Sequence, residues 1–167
     1  ARNAERAKRL KTGGAIGQLT AIAGNAQIDA DLLSVMSPAE IVINLVGILA
    51  PSGQQTFSAL QAELPARIGR MAKEAGCSQI VHVSALGAKL KSQSTYARTK
   101  AEGERGLLRQ FPDAVIMQPS IIFGPGDNFF NRFGQMAMFS PALPLIGGGT
   151  SLMQPVYVGD VADAVLA

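Results

Sequence analysis

Three stretches of this chain are apolar almost without interruption: Ile41-Val-Ile-Asn-Leu-Val-Gly47, Gln79-Ile-Val-His-Val-Ser84 and Ala114-Val-Ile-Met-Gln118. A strand with one wet face alternates polar and apolar residues, so continuous runs of this kind mark strands covered on both sides, as in a parallel sheet between helices. Each run is followed by a longer segment of helical pattern. Regular alternation of buried strand and helix specifies a doubly wound α/β domain with a mostly parallel sheet and helices on both faces. With 167 residues, 47% of them hydrophobic and 16% charged, the chain can bury a sizeable core and is not disordered.

The remaining elements follow from local signals. Residues 3–11 are polar and helix-prone, and Gly13-Gly14 ends that helix. Leu19-Thr-Ala-Ile-Ala23 reads as a short buried strand closed by Gly24-Asn25. A helix follows from Asp29 to Met36, its acidic residues in the first turn, where the helix dipole favours them. A long helix is expected from Gln55 to Ala75, capped by Gly76 and kinked or interrupted at Pro65, whose ring collides with the preceding turn. Further helices are expected at Tyr96–Arg109, Phe129–Phe139 and from Gly159-Asp160 onward, with Asp160 as a cap. A short strand is expected at Pro155–Val158, and a turn at Phe123–Asp127. Gly13-Gly-Ala-Ile-Gly17 is not a phosphate loop: such a loop follows a strand and opens a helix, whereas this stretch follows a helix and precedes a strand.

Charge and cysteine usage exclude several classes. The formal net charge is +3, and the excess lies in residues 1–11, where five cations face Glu5 alone. A nucleic-acid binder shows a broader basic face with interleaved aromatics. One cysteine and one histidine supply neither a disulfide framework nor a metal-ligand set. No apolar run approaches the roughly 20 residues that cross a bilayer. The chain lacks an initiator Met and closes in a helical pattern, so it is read as part of a longer protein.

The chemistry-bearing residues gather at strand ends. Tyr96-Ala-Arg-Thr-Lys100 places a phenol and an ammonium four apart on one helix face. A neighbouring ammonium favours the phenolate, so Lys100 is expected to lower the Tyr96 pKa from about 10. Tyr96 then acts as acid or base on a carbonyl or alcohol oxygen. Ser84, twelve residues before Tyr96 at a strand end, is placed to bond the same oxygen. Lys100 is placed to reach ribose hydroxyls. In doubly wound sheets ligands bind beyond the carboxyl ends of the strands, which nominates Gly47, whose bare backbone permits close approach. Asn25 and Ala26 end the preceding strand, with the Asn25 amide a candidate for an adenine edge. Arg2 stands where an arginine accepts the 2′-phosphate of NADP, and no acid of the NAD-preferring kind is visible there. His82 reads as a satisfied core histidine.

Taken together, Asn44–Gly47, Val83-Ser84, Tyr96-x-x-x-Lys100, Pro119-Ser-Ile-Ile-Phe-Gly-Pro125 and Val156-Tyr-Val-Gly-Asp-Val161 resemble the extended and atypical branches of the short-chain dehydrogenase/reductase superfamily. A narrower likeness rests on Asn44-Leu-Val-Gly-Ile-Leu49, Gln55-Thr-Phe57, Phe129-Phe-Asn-Arg-Phe133, Leu143-Pro-Leu-Ile-Gly-Gly-Gly149 and Gln154-Pro-Val-Tyr-Val158. These phrases resemble the NADPH-binding accessory subunit family of respiratory complex I and its bacterial relatives. The resemblance implies that residues 1–167 are a partial Rossmann-like NAD(P)-binding domain, truncated at both ends, without its first strand, glycine-rich loop and C-terminal substrate part. It implies NADP(H) in preference to NAD and complex I subunits as partners. It implies a cytoplasmic location in a bacterium, or the mitochondrial matrix side, peripheral to the inner membrane. It also implies a structural role in which Leu45, Val46 and Gly47 contact the cofactor, Ser84, Tyr96 and Lys100 surround the nicotinamide ribose, and Pro119, Ser120, Ile121 and Ile122 pack near the nicotinamide. The alternative is an active reductase, epimerase or dehydratase working on a small alcohol, carbonyl or nucleotide-sugar through Tyr96, Lys100 and Ser84. A third reading is a sensor whose cofactor occupancy governs partner binding.

Overall fold

The computed structural model describes Ala15, residues 18–127, residues 129–139, Gly148, Thr150 and residues 152–167. The helix expected at residues 3–11, the Gly13–Gly17 connector, Arg2 and most of Leu143–Gly149 lie outside the described residues. The chain divides into two compact units, residues 1–117 and 118–167.

The first unit is built on a three-stranded parallel sheet in the order β1-β2-β3, with β1 at Ile41–Asn44, β2 at Gln79–Val83 and β3 at Val115–Met117. In register, Asn44 lies opposite His82 and Val83 opposite Met117. The apolar runs thus become parallel strands as their composition requires. Helix α1 (Asp29–Met36) precedes β1, α2 (Leu64–Ala75) precedes β2 and α3 (Thr95–Gln110) precedes β3.

The core forms where α1, α2 and α3 close on β2. Helix α2 contributes Leu64, Ile68, Met71 and Ala72, a stripe at helical spacing. The stripe meets Leu32 and Met36 of α1, Ile80 of β2 and Leu107 of α3. Gly76 ends α2 in the left-handed conformation, as a glycine can without penalty. Cys77 follows it, buried, with its sulfur 3.3 Å from the Ala39 carbonyl and 3.7 Å from that of Met36. Asp29, at the start of α1, binds both Arg67 and Arg70 of α2. The Arg67 hydrogen bond holds its carboxyl below the usual range.

Pro65 interrupts its helix in a specific way. Residues Ser58–Glu63 form a π-helical turn, and α2 starts at Leu64 with Pro65 in its first turn. Proline has no N–H for the Gln61 carbonyl four residues back, and the wider π register absorbs the mismatch. Helix α3 then comes in close. A Cβ placed on Gly103 would stand 1.9 Å from the Gln61 carbonyl oxygen, and one on Gly69 would meet Leu107 Cδ1 at 2.9 Å. Only hydrogen fits at these two crossing points.

Two expectations about strands fail or shrink. Leu19–Ala23 carries no strand and is largely exposed. A strand exists by pairing, and this stretch joins neither described sheet. The run Ile41–Gly47 pairs only as far as Asn44, because the Asn44 side chain takes the Val46 N–H and draws the chain out of the ladder.

In the second unit, β4 (Ile122–Phe123) pairs in parallel with β5 (Val156–Tyr157), and helices α4 (Phe130–Phe139) and α5 (Val158–Leu166) follow the two strands. Asp127 organises the turn before α4, accepting from the Phe129 and Asn131 amides. Asp160 lies within the first turn of α5. The residue preceding that helix is Tyr157, with no side-chain cap, so Asp160 acts through the helix dipole and not as a cap.

Candidate functional site

The carboxyl ends of β1 and β2 open into loops that carry most of the nominated residues. Beyond β1, Leu45, Val46, Gly47 and Ile48 line a cavity of about 390 Å³. Gly24, Asn25, Ala26 and Asp31 face them across it, with Leu32 and Leu60 contributing apolar wall. That volume is within the range of small-molecule pockets and the lining is mostly apolar with a few polar groups. Asn25 is built into its turn: its Oδ1 accepts from the Gln27 amide and its own amide donates to Asp31. The Asn25 side-chain nitrogen stays uncommitted among the described residues, as a donor to a bound ring would have to be.

Lys100 ties the second half of the site to the first. It is buried to 4% exposure. Its Nζ donates to the Val83 carbonyl at 3.3 Å. A Cβ on Gly47 would lie 3.4 Å from the same Nζ. Gly47, Val83 and Lys100, far apart in sequence, therefore meet at one point. Burial pulls the Lys100 pKa down, and Glu104 one turn later pulls it back up.

Tyr96 lies on the same helix one turn before Lys100 and packs edge-on against Phe57, with ring centroids 6.0 Å apart. Its pKa does not fall as the Tyr-x-x-x-Lys spacing suggests. Burial pushes it up, and the Lys100 ammonium is directed to the Val83 carbonyl. Tyr96 is thus a protonated phenol at neutral pH, a hydrogen-bond donor and a poor base. Ser84 is 5% exposed, and its hydroxyl donates to Glu104 on α3 in a short hydrogen bond. The serine side chain is turned into the strand–helix interface.

Glu104 and the buried Gln61 carry no motif in the sequence. Gln61, in the π-helical turn, donates to the Ile48 carbonyl at 2.6 Å and accepts from Thr99 at 3.0 Å. It thereby fixes the far end of the Leu45–Ile48 loop to α3. Asn44 accepts from Val46 at 3.0 Å, and its amide nitrogen lies 2.9 Å from His82 Nδ1. His82 is only half satisfied: it is 1% exposed, and Nε2 has no partner among the described residues. Burial, with Lys100 second, drives its pKa down to about 4. Pro119, Ser120, Ile121 and Ile122 belong to the second unit, where Ile122 opens β4 and the others are half-buried.

A parallel sheet whose strand ends carry a glycine loop, a buried lysine and a tyrosine one turn away is a Rossmann-like α/β arrangement. The chain belongs to the NAD dependent epimerase/dehydratase family, which it matches over residues 2–167. It is similar to the mitochondrial NADH dehydrogenase (ubiquinone) 1 alpha subcomplex subunit 9 of Mus musculus, 36% identical over 158 residues, 94% of this chain and 42% of that protein. The Arabidopsis thaliana protein of the same name is 35% identical over 161 residues, 96% of this chain and 40% of that one. A ceramide reductase of Caulobacter vibrioides is 32% identical over 129 residues, 77% of this chain and 40% of the enzyme. The chain therefore spans about two fifths of the length of these relatives.

Among solved structures, UDP-glucuronic acid 4-epimerase from Bacillus cereus in complex with NAD superposes with a TM-score of 0.79 at 16% identity, covering 96% of this chain and 59% of that one. A dTDP-glucose 4,6-dehydratase from Streptomyces venezuelae gives 0.79 at 19% identity, covering 95% and 57%. These likenesses show the fold, a Rossmann-like α/β sheet. Among the described residues no helix is long and apolar enough to cross a membrane.

Proposed function

We propose that this chain is the nucleotide-binding part of a protein that holds NADPH as a structural cofactor, in the manner of a complex I accessory subunit. One observation carries the reading: Gly47, Val83 and Lys100 converge beside the cavity that Asn25, Ala26, Leu45 and Val46 line. The cavity suits a planar ring and sugar, with Asn25 as donor to the ring. Lys100 is the cation for the ribose, and the bare backbone at Gly47 admits a close approach. The family resemblance alone assigns Pro119, Ser120, Ile121 and Ile122 to the nicotinamide. Arg2 is the contact for a 2′-phosphate and the reason to prefer NADPH over NADH. The similarity to mitochondrial subunits of NADH dehydrogenase supports neighbouring subunits of that complex as partners. It also supports a position on the matrix or cytoplasmic side, peripheral to the membrane.

The bound dinucleotide would supply hydride chemistry, but the chain's own residues favour holding over turnover. Ser84 gives its hydroxyl to Glu104, and the Tyr96 phenol is held above its ordinary pKa. Calorimetric titration of the full-length protein with NADPH and then NADH tests the proposal, together with turnover on a panel of carbonyl substrates. Tight NADPH binding without turnover supports it. Failure to bind either dinucleotide sinks it.

The Tyr96/Lys100 pair on one helix face, and the similarity to a ceramide reductase, favour an active reductase, epimerase or dehydratase as the second reading. Replacing Tyr96 by Phe separates the two. An enzyme loses most of its activity with binding intact, and a holder shows no catalytic phenotype. A sensor is distinguished by a partner whose affinity follows the NADPH/NADP⁺ ratio.

A further inference from the structure

The Asn44–His82 pair has a determinate proton arrangement, and that arrangement reaches the cofactor loop. The Val46 backbone N–H can only donate, so the Asn44 atom 3.0 Å from it is Oδ1. Nδ2, a donor, therefore faces His82 Nδ1 at 2.9 Å. Nδ1 must accept, which puts the imidazole proton on Nε2. A single loop amide thus dictates the side-chain orientation on β1 and the tautomer on β2. The two residues sit in register on adjacent strands, so no backbone adjustment is needed for them to meet.

The histidine is poorly justified by packing alone. It is 1% exposed, and its Nε2–H points at no acceptor among the described residues. An apolar side chain of similar size would fill the position without the orphaned Nε2–H. What such a residue lacks is the Nδ1 lone pair that holds Asn44. Protonation of the ring would oppose two donors, so the pair functions only with a neutral histidine, in accord with the low pKa that burial imposes.

We infer that His82 is a positioning residue for cofactor binding: through Asn44 it fixes the Val46 amide, and with it the Leu45–Gly47 backbone that walls the cavity. This rests on the proposed dinucleotide site and adds to it a residue that lies beneath the loop. Two measurements on the full-length protein test it, hydrogen exchange at the Val46 amide without cofactor, and the Kd for NADPH. In His82→Leu the Val46 amide should lose protection by about tenfold and NADPH binding should weaken by roughly five- to tenfold. The apo melting temperature should change little, because the orphaned Nε2–H disappears as the buried Asn44 amide loses its acceptor. His82→Asn, which places an oxygen where Nδ1 stood, should restore both readings. Unchanged Val46 exchange in His82→Leu overturns the inference. So does an affinity loss that His82→Asn does not recover, or one that merely tracks a fall in melting temperature. Should His82→Leu fail to fold, His82→Val, which likewise lacks the Nδ1 acceptor and suits a strand, is read the same way. If the unmodified protein binds no NADPH, the proposed function fails while Val46 exchange still decides the positioning role.

Discussion

Replacing Gly103 by alanine sets helix propensity against packing, and the geometry decides which wins. In an exposed helix interior the change stabilises by about 1 kcal/mol, because glycine loses more backbone freedom on folding. At position 103 the new Cβ would lie 1.9 Å from the Gln61 carbonyl oxygen and 3.0 Å from Pro65 Cγ. A carbon and a carbonyl oxygen settle at roughly 3.3–3.6 Å, so α3 or the π-helical turn must give by more than an ångström. Neither neighbour is a flexible tip: one is backbone and the other a proline ring. Overpacking costs about 1–3 kcal/mol, and displaced Gln61 bonds to Ile48 and Thr99 add about 1 kcal/mol more. The net expectation is a loss of about 2 kcal/mol, read as a shift in urea midpoint at constant slope. Gly134→Ala in α4 is the control, since its Cβ meets nothing within 4 Å, and it should stabilise. Gly106→Ala, 3.1 Å from Ala66 Cβ, should fall between. If Gly103→Ala stabilises like Gly134→Ala, the close crossing of α3 on the π-helical turn is wrong.

Lys100→Met should keep or raise the melting temperature, because it removes a buried ammonium, while NADPH binding falls; calorimetry on the wild type and the variant checks the split. Tyr96→Phe should leave NADPH affinity within about threefold, and a turnover assay beside the titration tells holder from enzyme. NADPH at 100 times its Kd should stabilise the protein by about 2.7 kcal/mol, visible as a thermal shift absent in Lys100→Met. His82 should make stability pH-dependent. Its folded pKa of about 4 lies below the ordinary 6.5, so the unfolded state binds the extra proton. The His82 contribution is complete above about pH 6.5 and is lost as pH falls toward 4, a change of about 3 kcal/mol. The difference between wild type and His82→Leu in denaturant melts at pH 7.5 and 4.5 isolates it, and parallel curves would refute it.

The sheet was legible because its strands are buried on both faces, which writes them into composition as unbroken apolar runs. Leu19–Ala23 shows the limit of that signal: five apolar or small residues make a strand only beside a neighbour, and pairing is not encoded in the run itself. The Tyr96/Lys100 spacing correctly placed both residues on one helix face, since helical geometry is local. The direction of the tyrosine pKa was not local. It is set by burial, to which Phe57 on another element contributes through its edge-on contact. Glu104, Gln61, Asn44 and His82 act through partners 13 to 38 positions away in sequence. No motif marks such pairs. They follow from strand register and from how closely glycines let two helices approach.

Cys77 gives this fold a built-in clock. Its sulfur is sealed between the end of α2 and the carbonyls of Met36 and Ala39, so a thiol reagent reaches it only after that corner opens. Labelling rate against reagent concentration then reports the opening equilibrium, and at high reagent the opening rate itself. Because α1 also supplies Asp31 and Leu32 to the cavity wall, a ligand that settles there should slow the clock, letting occupancy be timed chemically without attaching any probe.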